Sequence, residues 1–152
     1  MIWKPNVTVA AVVEQKGKFL LVEEQQGASS ETLFNQPAGH LEPGESIPEG
    51  AIREAMEETG YTFVPYWLQG VYNWHSSAND TTYLRFTFSG EVTDFDPDYQ
   101  LDTGIVSAGW YDLYEIEKLT HRHRSPLVMQ CIQDYLTGQR YPVELLVQNN
   151  NN

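Results

Sequence analysis

The sequence reads as an α/β fold, and its order of elements permits an α/β/α sandwich around a mixed β-sheet. Three observations carry that reading. Short β-branched apolar runs come first, an amphipathic helix with signals at both ends follows, and further strands and then helices close the chain. No internal repeat or linker-like stretch interrupts this order. The chain has 152 residues, which suits a single domain able to bury a real core; residues 1–148 read as that domain and 149–152 as a polar, disordered tail.

Residues 7–13 (V-T-V-A-A-V-V) are nearly continuous and β-branched, as a buried strand is. Lys16-Gly17-Lys18 reads as a turn and residues 19–22 as the hairpin partner. Residues 25–32 are small and polar, hence a loop, and residues 33–36 read as a short strand stopped by Pro37. After the central helix, residues 62–73 read as extended, 75–80 as a loop and 81–89 (T-T-Y-L-R-F-T-F-S) as an alternating strand. Residues 95–103 form an acidic loop, 105–111 a strand running into Trp110, and 113–119 a short helix. His121 to Arg124 is a brief basic patch. Ser125 then caps a last helix that has Pro126 at its first position and ends at Gly138.

The central helix is the best-marked element. Ser46 is a good N-cap with Glu49 at capping-box spacing, Pro48 sits in the first turn, and Gly60 supplies a left-handed stop. At roughly 100° per residue, Ala51, Ile52, Ala55, Met56 and Thr59 share one arc, and Arg53, Glu54, Glu57 and Glu58 share the opposite one. Like charges at this spacing destabilise a helix by a few tenths of a kcal/mol per pair. On the helix alone two readings stand: a solvated acidic face, or a site for a hard cation such as Mg²⁺ or Mn²⁺, whose preferred ligands are carboxylate oxygens.

Composition narrows the partners. A net charge of -12 argues against a nucleic-acid polymer or an anionic membrane as partner. A small anionic substrate remains open, because a metal ion between protein carboxylates and substrate phosphates reverses the local sign. Cys131 is the one cysteine; it excludes an intrachain disulfide, fits a reducing, cytoplasmic compartment, and reads as a small buried hydrophobe inside a helix. The first residues do not read as a signal peptide, and no apolar stretch approaches membrane-spanning length.

Residues 39–61 run G-H-L-E-P-G-E-S-I-P-E-G-A-I-R-E-A-M-E-E-T-G-Y. Gly39, Glu45, Arg53-Glu54, Glu57-Glu58 and Gly60 stand at the fixed spacings of the Nudix box, with Ala55 smaller than the aliphatic usual at its position. The chain resembles the Nudix hydrolases. Outside the box, V-T-V-A, F-L-L-V-E-E, N-Q-P-A-G-H-L-E, Y-L-R-F, R-S-P-L-V and G-Q-R-Y-P are similar to the NudJ-type phosphatases, and these pieces span residues 7–142.

The resemblance implies the Nudix fold and a Mg²⁺-dependent hydrolase, with Mn²⁺ as a second candidate ion. It implies cleavage of nucleoside di- and triphosphates, and of hydroxymethylpyrimidine diphosphate or thiamine diphosphate, with release of phosphate. It implies metal ligation by Glu54 and Glu58, by Glu57 directly or through water, and by the Ala38 carbonyl. Arg53 would orient the glutamates and Glu45 would hold Arg53 or the loop. Glu54 is the first candidate for general base and Asp102 the second. Gln36, Tyr72, Trp74, Arg85 and Arg124 are the candidates for ring and phosphate contacts; arginine suits phosphate because its fork donates in pairs. The protein is expected to act as a monomer or homodimer on a small molecule. Two other readings stay open: a pyrophosphatase of nucleoside diphosphate-linked compounds such as ADP-ribose, and a nucleotide-binding domain without turnover.

Overall fold

Lys16 and Gly17 turn the chain at φ 51° and 80°, the pair of left-handed residues a tight hairpin needs. They join β1 (Asn6–Gln15) to β2 (Lys18–Gln25). The structure, a computed structural model, describes residues 1–149. There follow β3 (Thr32–Asn35), β4 (Ala38–His40), α1 (Ile47–Thr59), β5 (Tyr61–Ser76), β6 (Thr81–Phe95), β7 (Ile105–Asp112), α2 (Leu113–Lys118), α3 (Leu127–Leu136) and β8 (Tyr141–Pro142). Single 3₁₀ turns stand at Thr120–Arg122 and Val143–Leu145. The expected tail lies, apart from Asn149, outside the described residues. No helix among them is long and apolar enough to cross a membrane.

The sheet is mixed, as expected: β1 pairs parallel with β6, while the other strand pairs are antiparallel. β1 has two partners on its other edge. Thr8–Ala10 pair with β4, and only Glu14 and Gln15 pair with β2. β2 therefore leaves β1 and takes β3 and β7 with it. The space opened by this divergence is where the cavity described below lies.

Alternation along β1 builds both sides of the sandwich. Val9, Ala11 and Val13 join Leu20, Phe63, Leu68 and Phe88 against Ala51 and Ala55 of α1. Val12 joins Phe19, Leu21 and Tyr72 against Ile116 of α2 and Leu127, Cys131 and Ile132 of α3. Cys131 is the buried small residue expected of it.

Several strands exceed their sequence-based limits: β2 runs on to Gln25, and β5 and β6 both lengthen. β6 continues from Ser89 to Phe95 because Gly90 is a site of close approach: a Cβ there would overlap the Val64 carbonyl, opposite a register shift between Pro65 and Trp67. A glycine reads as a strand breaker in sequence; here it lets the pairing pass. β5 likewise takes in His75 and Ser76, expected in a loop, as partners of Thr82 and Thr81. β4 and β8 are too short to leave a periodic signal.

Candidate active site

The caps of α1 are as the sequence requires. Ser46 Oγ accepts from Glu49 N–H at 3.2 Å, Glu49 returns the bond to Ser46 N–H at 3.0 Å, and Gly60 ends the helix at φ 77°. Fixed this way, the helix lays its acidic face along β4. Gly39 leaves room there for the Glu54 carboxylate, which a Cβ would displace from its place beside Arg53. Glu58 Oε1 accepts the Ala38 N–H at 3.0 Å.

Arg53 organises the carboxylates. Its Nε and Nη2 donate to both oxygens of Glu45 at 2.9 and 2.8 Å, Nη1 donates to Glu54 and Glu57 at 2.8 and 2.7 Å, and Nη2 also reaches the His40 carbonyl at 2.9 Å. Glu42 stands 3.2 Å from Nη1. Arg53 holds the Glu45 carboxyl below its usual range and is itself held more firmly protonated, first by Glu45.

The acidic arc is not a solvated face. Glu54 and Glu58 are only 7% and 8% exposed, as enclosed as core residues. Burial raises the Glu54 carboxyl against the pull of Arg53, with Glu57 and Asp102 adding to the rise. Burial pushes Glu58 up to about 9; the Ala38 N–H opposes this, while Glu24, Glu54 and Asp102 reinforce it. Asp102 is brought to the helix by its own N–H, which donates to the Glu57 carbonyl at 2.9 Å. Carboxylate oxygens of Glu54, Glu57 and Asp102 lie within 4.8 Å of one another. The donor set is all oxygen, three carboxylates beside one guanidinium, and fits a hard divalent cation.

These groups line one wall of a cavity of about 640 Å³. The other walls come from β2, the end of β3, the β5–β6 hairpin and the start of α3, and carry Arg85, Arg124, Trp74 and Tyr83. Trp74 and Tyr83 are cross-strand partners whose rings stack 5.6 Å apart at 21°. Arg124 N–H donates to the Phe34 carbonyl at 2.8 Å, and its Nη1 meets Glu24 Oε2 at 2.9 Å. Glu24 Oε1 is buried without a hydrogen-bond partner, and burial raises the Glu24 carboxyl, offset chiefly by Arg124.

A family model for the NUDIX domain matches residues 3–130. The chain belongs to the Nudix family. Its Nudix relatives include "Phosphatase NudJ" of Shigella boydii, 42% identical over 145 residues (95% of this chain and 92% of that protein), and of Escherichia coli K12, 41% identical over the same length. Among solved structures, a NUDIX hydrolase from Nitrosomonas europaea superposes with a TM-score of 0.95 at 56% identity, covering 98% of this chain and 100% of that one. Family membership makes the chain a hydrolase of phosphoric anhydrides.

Within this Nudix site the anticipated residues divide. Glu54, Glu58, Ala38, Asp102, Trp74, Arg85 and Arg124 all line the cavity. Glu57 joins the carboxylate group, while Arg53 and Glu45 stand behind it. Gln36 and Tyr72 do not line it. Tyr72 shares a face of β5 with Trp74 but lies one pleat deeper, under α3, where its hydroxyl donates to Asp134 at 2.8 Å. Gln36 is enclosed, 1% exposed, with its amide used on both ends. The basic patch also resolves into separate jobs. Arg122 fastens β3 through the Thr32 carbonyl at 3.0 Å, Glu23 and the Phe34 ring, and His123 meets the Ile116 carbonyl at 2.9 Å. Sequence reasoning missed Glu24, Asn35 and Tyr83 as cavity residues. Glu24 had a signal: it follows Leu20 and Val22 at period two, an acid on the inward face of a buried strand.

Proposed function

We propose that this Nudix hydrolase is a Mg²⁺-dependent phosphatase, with Mn²⁺ as a second candidate, that removes phosphate from nucleoside di- and triphosphates and from hydroxymethylpyrimidine or thiamine diphosphate. The observation that carries the reading is a cavity with two chemistries: buried carboxylates on one wall, two guanidiniums and a pair of stacked aromatic rings on the others. A phosphoanhydride on a flat ring needs these together. The relatives named "Phosphatase NudJ", at 41–42% identity, support release of phosphate over other Nudix outcomes.

Glu54, Glu57, Glu58 and the Ala38 carbonyl would hold the metal, which supplies charge neutralisation at the phosphate oxygens and lowers the pKa of bound water. Arg53 fixes the glutamates and is fixed in turn by Glu45. Glu54 takes the proton of the attacking water, with Asp102 as the second candidate. Arg85 and Arg124 receive phosphate oxygens, and Trp74 packs on the ring. A reducing, cytoplasmic setting suits the single buried cysteine.

Product analysis tests this. The protein is incubated with Mg²⁺ and, separately, GTP, GDP, hydroxymethylpyrimidine diphosphate and ADP-ribose. Orthophosphate is expected from the first three. AMP and ribose phosphate from ADP-ribose, with no orthophosphate elsewhere, would replace the substrate assignment; tight nucleotide binding without product would indicate a silent domain.

A further inference from the structure

Arg85 is a buried cation whose side-chain hydrogen bonds go to neutral groups. It is 5% exposed. Nη1 donates to Gln36 Oε1 at 3.0 Å and lies 3.7 Å from Cys131 Sγ, and Nη2 donates to Asn35 Oδ1 at 2.8 Å. Among the described residues no carboxylate stands within ion-pair distance of it. Arg53, Arg122 and Arg124 each have at least one. Glu24, on the same wall, is ion-paired with Arg124 and attracts Arg85 only from beyond ion-pair distance. Taking a guanidinium out of water without a counter-charge is unfavourable, so a chain that keeps one beside a cavity gains from it when an anion enters.

The two amides are oriented for this task. Gln36 Nε2 donates to the Val128 carbonyl in the first turn of α3 at 2.8 Å, which leaves Oε1 to face Arg85. Asn35 ends β3, where its neighbour in sequence, Phe34, is tied to Arg124 N–H. Both acceptors therefore sit on anchored backbone and fix the plane of the guanidinium. Carboxylates at the same two positions would hold Arg85 equally well but would cancel its charge.

We propose that Asn35 and Gln36 are positioning residues: their uncharged amide oxygens hold Arg85 in place on the cavity wall without a direct ion pair, as the receptor for a substrate phosphoryl oxygen. This deepens the phosphoanhydride reading and rests on it.

The test compares Asn35→Ala and Asn35→Asp, each checked for fold by circular dichroism and thermal melting. Two quantities are read: binding of inorganic pyrophosphate to the metal-free protein by calorimetry, and KM and kcat for GDP with Mg²⁺. Loss of one charge-assisted contact corresponds to about tenfold in affinity. Asn35→Asp is expected to weaken pyrophosphate binding and raise KM by about that factor, with kcat within about threefold, in a protein that keeps its fold. Asn35→Ala leaves the charge but loosens the side chain, so its effect on KM is smaller. A purely structural role gives the reverse order, because Asp keeps the bond that Ala removes. That reverse order, or wild-type KM and pyrophosphate affinity in a folded Asn35→Asp, overturns the proposal. Should Asn35→Asp not fold, an unchanged KM and pyrophosphate affinity in Asn35→Ala overturns it. Glu58→Gln is run beside them. Wild-type turnover that Glu58→Gln abolishes, with Asn35 variants indifferent, sinks this proposal alone; a wild type that cleaves no anhydride sinks the underlying reading, and the pyrophosphate titration still decides the role of Asn35.

Discussion

Arg53 and Arg85 flank the same cavity and are treated in opposite ways. Arg53 is surrounded by Glu42, Glu45, Glu54 and Glu57 at 2.7 to 3.2 Å. Its charge is spent several times over, and what it gives the site is geometry: it ties two helix carboxylates to the loop through Glu45. Arg85 meets only amide oxygens and a sulfur. Its geometry is set by others, and what it gives the site is charge. Each wall is thus left short of what the other half of a metal–phosphate complex would bring. The carboxylates of the helix wall outnumber their one guanidinium, and Arg85 has no ion-pair partner among the described residues.

The largest effect should come from the helix wall. Glu57→Gln and Glu58→Gln each remove a candidate metal ligand while keeping the size and shape of the side chain. Turnover is expected to fall by at least about 10²-fold, the scale of losing one preorganised electrostatic contact, with the far-UV spectrum and melting temperature retained. Unchanged kcat in both variants would break the comparison, since the acidic wall would then be structural.

Arg53→Lys sharpens it. Lysine keeps the charge but has no fork, so it cannot hold Glu45, Glu54 and Glu57 at once. Loss of an orienting partner of this kind costs about 10–100-fold in metal affinity or activity. Titration of Mn²⁺ by electron paramagnetic resonance checks this, and a lysine variant that binds the ion as the wild type does would refute the orienting role.

The acidic wall has a pH signature. Burial holds the Glu58 carboxyl protonated up to about 9 in the folded protein, against 4.5 as its ordinary value. Across that window the folded state keeps a proton that the unfolded chain has lost, so the metal-free protein loses stability as pH rises. In a chain of this size ~1 kcal/mol moves the melting temperature by about 3 °C. Melting in EDTA should therefore drop by several degrees with rising pH, Glu58→Gln should flatten the slope, and Mg²⁺ should stabilise more at the alkaline end. A flat profile in the wild type would show that Glu58 is not the buried acid it is taken to be.

The helix wall was legible in sequence and the other walls only in part, for a physical reason. Caps, helical periodicity and the fixed spacings of the box are local, so Ser46, Gly60, Gly39 and the glutamates announce themselves within residues 39–61. The opposing walls are assembled from β2, β3, the β5–β6 hairpin and the start of α3, which meet only because β2 diverges from β1. Arg85 and Arg124 could be suspected as cations in an acidic chain. Asn35 could not be ranked, and Glu24 shows only as an inward-facing acid, because their roles depend on partners 50 and 100 residues away. Tyr72 shows the same limit in reverse. Period two puts it on the same face as Trp74, and nothing in the sequence says that α3 covers one and leaves the other at the cavity.

That covering sets the smallest effect. Tyr72 is the cross-strand partner of Arg85, so it is the natural control for whether the neighbourhood of Arg85 acts by charge or by packing alone. Tyr72→Phe keeps the ring and removes the hydroxyl that donates to Asp134 and accepts from Gln69 at 3.1 Å. Deleting such a bond costs about 1 kcal/mol, somewhat more when it leaves Gln69 short of an acceptor. The melting temperature should therefore fall by a few degrees while KM and kcat for GDP stay at wild-type values. A raised KM in Tyr72→Phe would mean that packing around Arg85 reaches the substrate as strongly as its charge does, and the contrast between the two arginines would lose its force.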